Sequence, residues 1–163
     1  MRHTLALILV AAALSGCAAM KPPQPGWSEQ QTLAHWGAPT SRYAMPDGVT
    51  RLEYATGPFG QSTWMIDVDA AGRVIAAQQV LTEDKLRAVQ GRLPGMSRDE
   101  LLRTLGRPGE RRGGGWQGGE VWSWRYQTHE CWWFQISIGD DGIVRDGAFG
   151  PDWRCERPFD PRN

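Results

Sequence analysis

An α+β fold, made of two tandem units that each join one helix to a three-stranded antiparallel sheet, is the architecture this sequence predicts. Three observations predict it. A helix bracketed by Pro-Gly-x-Ser and Gly-x-Pro occurs twice, at 25–39 and 94–108. Six short stretches between turn signals read as strands, four of them alternating apolar and polar residues with the period of a half-buried strand. The two halves also match, in order, at a nearly constant offset. Composition agrees. The 163 residues suffice for one ordinary domain or two very small ones. Twenty Gly and 11 Pro supply turns, and nine Trp supply large buried area. The charge is balanced at 18 basic against 18 acidic residues, so nucleic-acid binding has no compositional support. Three His and three Cys are too few and too scattered for a metal site, and no cofactor is expected.

Residues 1–16 read as a signal peptide. Arg2 and His3 open it, and Leu5–Leu14 is an apolar run too short to span a bilayer as a mature helix. It ends in Leu14-Ser15-Gly16-Cys17, which resembles the bacterial lipobox. The resemblance implies cleavage before Cys17 and lipid attachment to it; the alternative is a plain secretory signal with an incidental Cys. Several acyl chains anchor stably, at roughly 0.8 kcal/mol per buried methylene. Ala18, in place of Asp, implies by the same resemblance an outer-membrane location facing the periplasm. Losing the signal removes Arg2 and leaves 17 basic against 18 acidic residues, a net of −1. Residues 17–25 then form a lipidated, Pro-rich tether. Cys131 and Cys155 remain. An oxidising compartment favours a bridge between them, and two free buried thiols are the alternative.

The first unit covers 26–80. Its helix is EQQTLAHW, ending at Gly37. Three strands follow: Arg51–Thr56, with Leu52 and Tyr54 on one face; Ser62–Val68, with Trp64, Ile66 and Val68 inward and Met65 and Asp67 outward; and Arg73–Gln79. Gly57-Pro58-Phe59-Gly60 and Asp69-Ala70-Ala71-Gly72 are the turns. The second unit covers 81–155, with a tail at 156–163. It opens with an extra helix capped by Thr82, whose Leu86, Val89 and Leu93 form one apolar stripe. Ser97 and Glu100 make a capping box for the next helix, Leu101, Leu102 and Leu105 are its buried face, and Gly106 and Pro108 end it. The strands are Val121–Tyr126, Cys131–Ile138 and Ile143–Phe149. Trp132, Phe134, Ile136 and Ile138 are expected inward, and Trp133 on the opposite face.

The repeat aligns Pro25-Gly26-Trp27-Ser28 with Pro94-Gly95-Met96-Ser97 at an offset of 69. Further on, Tyr54 aligns with Tyr126, Trp64 with Phe134, Ile66 with Ile136 and Gly72 with Gly142, the offset drifting to 72 and back to 70.

Leu81-Thr82, Pro94-Gly95-Met96-Ser97, Leu105-Gly106-Arg107-Pro108, Trp122-Ser123-Trp124-Arg125-Tyr126 and Asp140-Asp141-Gly142 together resemble the SmpA/OmlA family of BamE-like outer-membrane lipoproteins. The resemblance covers roughly residues 81–149. It implies a non-catalytic, protein-binding role in envelope maintenance or in assembly of β-barrel outer-membrane proteins, with that machinery or other envelope proteins as partners. Family members are single units, whereas this chain carries two. The tandem arrangement resembles the β-lactamase inhibitory protein, which implies the alternative of a periplasmic inhibitor-like binding protein.

Candidate catalytic groups are sparse. His35 sits where a cation complements a helix C-terminus. His129 lies two residues before Cys131, but Cys155 is the better partner for that thiol. Asp67 and Asp69 before Gly72 lack the Glu of a calcium loop and read as a turn. Four residues are candidates for partner binding. Trp116 is either part of a plain hairpin connection, Arg111–Glu120, or an aromatic tip that orders on a partner or at the membrane. Arg111 and Arg112 flank it. Trp133 either packs against the other unit or the Phe149–Trp153 tail, or is an exposed hot spot.

Overall fold

The computed structural model describes residues 21–114 and 118–155. The signal segment, Cys17, Trp116 and the tail 156–163 lie outside the described residues. Three helices form where the caps demand them. In α1, Glu29–Trp36, the Ser28 hydroxyl accepts the Gln31 N–H while the Gln31 side chain accepts the Ser28 N–H. In α3, Arg98–Leu105, Ser97 and Glu100 make the same reciprocal pair. Between them, α2, Glu83–Gln90, is capped by Thr82 and buries Leu86 and Val89.

Eight strands form two antiparallel sheets in simple meander order. The first sheet is β1 (Ser41–Ala44), β2 (Thr50–Ala55), β3 (Thr63–Val68) and β4 (Val74–Gln79); a 3₁₀ turn, Pro46–Gly48, joins β1 to β2. The second is β5 (Glu110–Gly113), β6 (Glu120–Arg125), β7 (Trp132–Ile138) and β8 (Val144–Pro151). The architecture of two helix-plus-three-stranded units is therefore corrected: among the described residues there are three helices, and each sheet has four strands rather than three. The fourth strands, β1 and β5, are four residues long and lie on sheet edges. Arg42, Arg111 and Arg112 give them the charged character of edge strands, so they show no apolar alternation for a sequence reading to detect.

The two sheets correspond closely. Gly26 N–H donates to Val74 O as Gly95 N–H does to Val144 O, and Glu29 N–H donates to Gly72 O as Arg98 N–H does to Gly142 O. Each third strand carries an irregularity before its last residue, at Asp67/Val68 and at Ser137/Ile138. Tyr54 pairs with Trp64 as Trp124 pairs with Phe134. Tyr54 thus corresponds to Trp124 rather than to Tyr126, and the drift of the offset to 72 is an artefact of matching Tyr to Tyr.

The inner face of the first sheet buries Leu52, Ile66, Val68 and Val74, with Trp27, Trp36 and Trp64 half-buried around them. The second core is larger and centres on Leu86, Leu93, Leu101, Trp122, Trp124 and Phe134. Met65, expected to face outward, is 1% exposed and belongs to this second core. The reason is tertiary: the back of the first sheet packs on the second unit. Arg51, held by Asp67 of the same sheet with two bonds, 2.6 and 2.7 Å, reaches across that seam to donate to Arg103 O at 2.8 Å, beside the end of α3. Fully buried Glu53 accepts the Tyr43 hydroxyl and the Arg107 N–H.

Candidate functional site: a composite surface at the seam

The seam reaches solvent where the β2–β3 turn of the first unit meets the segment after β8. Arg125, at the end of β6, organises this meeting. Its side chain is 8% exposed. Its Nε donates to Asp152 Oδ2, its Nη1 donates to Pro58 O at 3.0 Å, and its Cζ lies 5.1 Å above the Trp133 ring. One guanidinium therefore ties the turn of one unit to the terminal segment of the other.

Asp152 is buried in turn. Burial by itself would raise its pKa, but the Arg125 bond and the Arg154 N–H, which donates to Oδ1 at 3.1 Å, outweigh it and hold the carboxyl below its ordinary range. Asp152 N–H donates to Cys131 O, and Cys155 N–H to Asp152 O, so the segment turns back toward the start of β7. There Cys131 and Cys155 are disulfide-bonded, with Cα atoms 6.0 Å apart.

On this base sit the exposed groups. Phe59, on the β2–β3 turn, is 69% exposed. The Arg154 guanidinium stacks 4.4 Å above its ring and lies 5.4 Å from the ring of Trp153, itself 38% exposed. An aromatic ring, a guanidinium and an indole stand in contact at the surface, each on backbone that is pinned underneath.

The four residues singled out from sequence fall elsewhere. Trp133 is 1% exposed. It faces the back of its sheet as alternation requires, but Arg125 and Arg112 cover it, the latter at 5.4 Å. Packing, and not exposure, is its role here. Trp132, expected to be buried, is instead 40% exposed at the start of β7. Arg111 stacks on Trp122 at 4.1 Å, so the two arginines lie over different indoles on opposite faces of β5. Both are held against the fold they belong to. Trp116 lies outside the described residues.

Phe59 and Arg154 were missed by the sequence reading. The only local signal was an aromatic residue inside a Gly-Pro-x-Gly turn, where burial is not available to it. Arg154 carried no signal, because its contacts join residues 95 positions apart.

The remaining candidates carry no assembled chemistry. The Cys131 sulfur is committed to the disulfide, so it is not a thiol for His129 to activate. His35 packs edge-on against Trp27 at 5.3 Å. Asp69 accepts the Ala71 and Arg73 N–H groups and so closes its turn. An open groove of about 420 Å³ lies between the β5–β6 and β7–β8 hairpins. Of its acids, Asp140 accepts the Gly119 N–H, Asp141 binds Arg145 and Glu120 binds Arg98. No cluster of three or more potential metal ligands occurs among the described residues.

No family model and no curated protein matches the chain. Solved structures similar to it include a cysteine-rich secretory protein of Staphylococcus aureus, at 10% identity and a TM-score of 0.30, covering 82% of this chain and 47% of that one. Another is an extracellular protein containing an SCP domain from Bacillus anthracis, at 12% identity and a TM-score of 0.31, covering 99% of this chain and 57% of that one. The chain thus spans about half the length of each, and likenesses this low support no inference about fold or role. The SmpA/OmlA resemblance is corrected on the first of these findings: no model of that family matches the chain. The shared features were Pro-Gly, Leu-Gly-x-Pro and Asp-x-Gly, which are cap and turn chemistry that unrelated helix-and-hairpin folds also need.

Proposed function

We propose that this is a lipid-anchored protein of the outer membrane, facing the periplasm, that binds another envelope protein through Phe59, Trp153 and Arg154 and performs no catalysis. The lipobox-like Leu14-Ser15-Gly16-Cys17 supports the anchor. The observation that carries the binding role is the exposure of Phe59 under a stacked Arg154, on a base fixed by the Arg125–Asp152 ion pair and the disulfide. Aromatic and Arg side chains are the residues that most often dominate binding energy at interfaces. A pre-fixed surface also spends less conformational entropy on association. The role in β-barrel assembly rested on the family resemblance and is dropped with it.

Photo-crosslinking in cells tests this reading. A crosslinking phenylalanine analogue at position 59 should capture a discrete protein, whereas the same analogue at Ile75, which is 50% exposed, should not. Arg154→Glu should weaken the capture about tenfold or more, the loss of one hot-spot contact of roughly 2 kcal/mol. Equal capture from both positions would sink the proposal. A captured hydrolase would favour the inhibitor-like alternative.

A further inference from the structure

We infer that a second surface, the aromatic end of the first unit formed by Trp36 and Trp64, rests on the lipid headgroup region of the anchoring membrane. This rests on the lipid-anchor reading above. The tether does not swing free of the fold at this point. Trp36 Nε1 donates to Lys21 O at 3.1 Å, and Pro23 is buried. The Trp36 ring in turn meets Tyr54 at 5.2 Å and Trp64 at 5.6 Å, both edge-on.

Cys17 is four residues before Lys21. Four residues span at most about 14 Å. An acylated Cys17 would sit at the edge of the hydrocarbon, beneath an interfacial zone of roughly 5–8 Å. Trp36 is therefore held within a short reach of the headgroups, where indoles are favoured because they combine an apolar body with a polar N–H.

The repeat shows what is unusual about this end. The residues corresponding to Trp36 and Trp64 are Leu105 and Phe134, which are 1% and 0% exposed. In the second unit α2 closes this part of the core, with Leu86, Val89 and Leu93 all buried. At the repeat's offset of 69 the residues in the position of α2 are 14–21, of which the lipid-anchored chain keeps only Cys17 to Lys21. Five residues are fewer than the eight of α2. Trp36 and Trp64 are only half-buried where their counterparts are sealed, and the nearest large apolar phase is the bilayer to which Cys17 is attached.

The test uses the full lipidated protein in phosphatidylethanolamine/phosphatidylglycerol vesicles whose acyl chains carry bromine, a short-range quencher of indole fluorescence. The protein should float with the vesicles and its emission should be quenched. Trp36→Phe and Trp64→Phe, which keep a ring in the stack, should each remove part of the quenched emission, and Trp153→Phe should remove none. A nitroxide on Ala38→Cys, an exposed position beside α1, should broaden on vesicle binding, while one on Asp146→Cys in the second unit should not. Flotation without quenching, or equal broadening at both labels, would overturn the membrane contact and leave the anchor standing. A wild-type protein that fails to float, like the Cys17→Ser control, would overturn both.

Discussion

Trp133 shows how far one residue's role depends on its cover. Alternation places it opposite Phe134, and Arg112 and Arg125 then seal it. Truncating a buried aromatic costs about 3–5 kcal/mol. Trp133→Ala should therefore lower stability by roughly that amount in urea unfolding, whereas Phe59→Ala should change it by under about 0.5 kcal/mol. Tyr43 makes a prediction about pH. Burial first, and then the bond to the Glu53 carboxylate, push its pKa up to about 12. Because the folded value lies above the unfolded value of 10.0, the folded state holds the proton longer. Its contribution is complete below that unfolded value and is lost as pH climbs through the folded one. Stability measured across this alkaline window should fall, and Tyr43→Phe should make the fall shallower.

At the scale of elements, α2 and β8 depend on a glycine. A Cβ at Gly147 would lie 2.3 Å from Leu93 Cδ1 and 3.2 Å from Phe134. Gly147 O also accepts Gln90 Nε2 at 2.9 Å, so the end of α2 lies directly on the strand. The corresponding residue of β4 is Ala77, in the unit without such a helix. Gly147→Val should overpack this contact and cost about 1–3 kcal/mol or more, read as a drop in the urea midpoint. Ala77→Gly should have a much smaller effect. The capping box of α3 was legible because it depends on residues three apart, within one turn of chain; the equivalent Ser28–Gln31 box of α1 went unread. Strands β1 and β5 were not legible, because an edge strand is defined by its neighbour and not by its own pattern.

For the whole molecule, the two units share one seam. Met65 of the first sheet lies in the second core, Glu53 binds the Arg107 N–H, and Arg125 binds Pro58 O. Units joined this way should unfold together: calorimetric and van't Hoff enthalpies of the wild type should agree. Glu53→Ala leaves the Tyr43 hydroxyl and the Arg107 N–H without their partner at the seam, at about 1–3 kcal/mol for each group left unsatisfied. The variant should broaden the transition or split it in two. A wild-type transition that is already split would show that the seam does not couple the units.

Read alone, the sequence determined the features that depend on near neighbours along the chain. These are the three helices with the caps of the second and third, six of the eight strands, the repeat of about 70 residues and the hairpin turns at Gly72 and Gly142. All of them follow from local hydrogen bonding and from periods of 2 and 3.6 residues. The tertiary structure alone decided which faces are covered. It buried Met65 and Trp133, exposed Trp132, added the edge strands, and brought Phe59 to Arg154 across 95 residues. Burial of a given face is a property of what packs against it, and no periodicity within a strand encodes that.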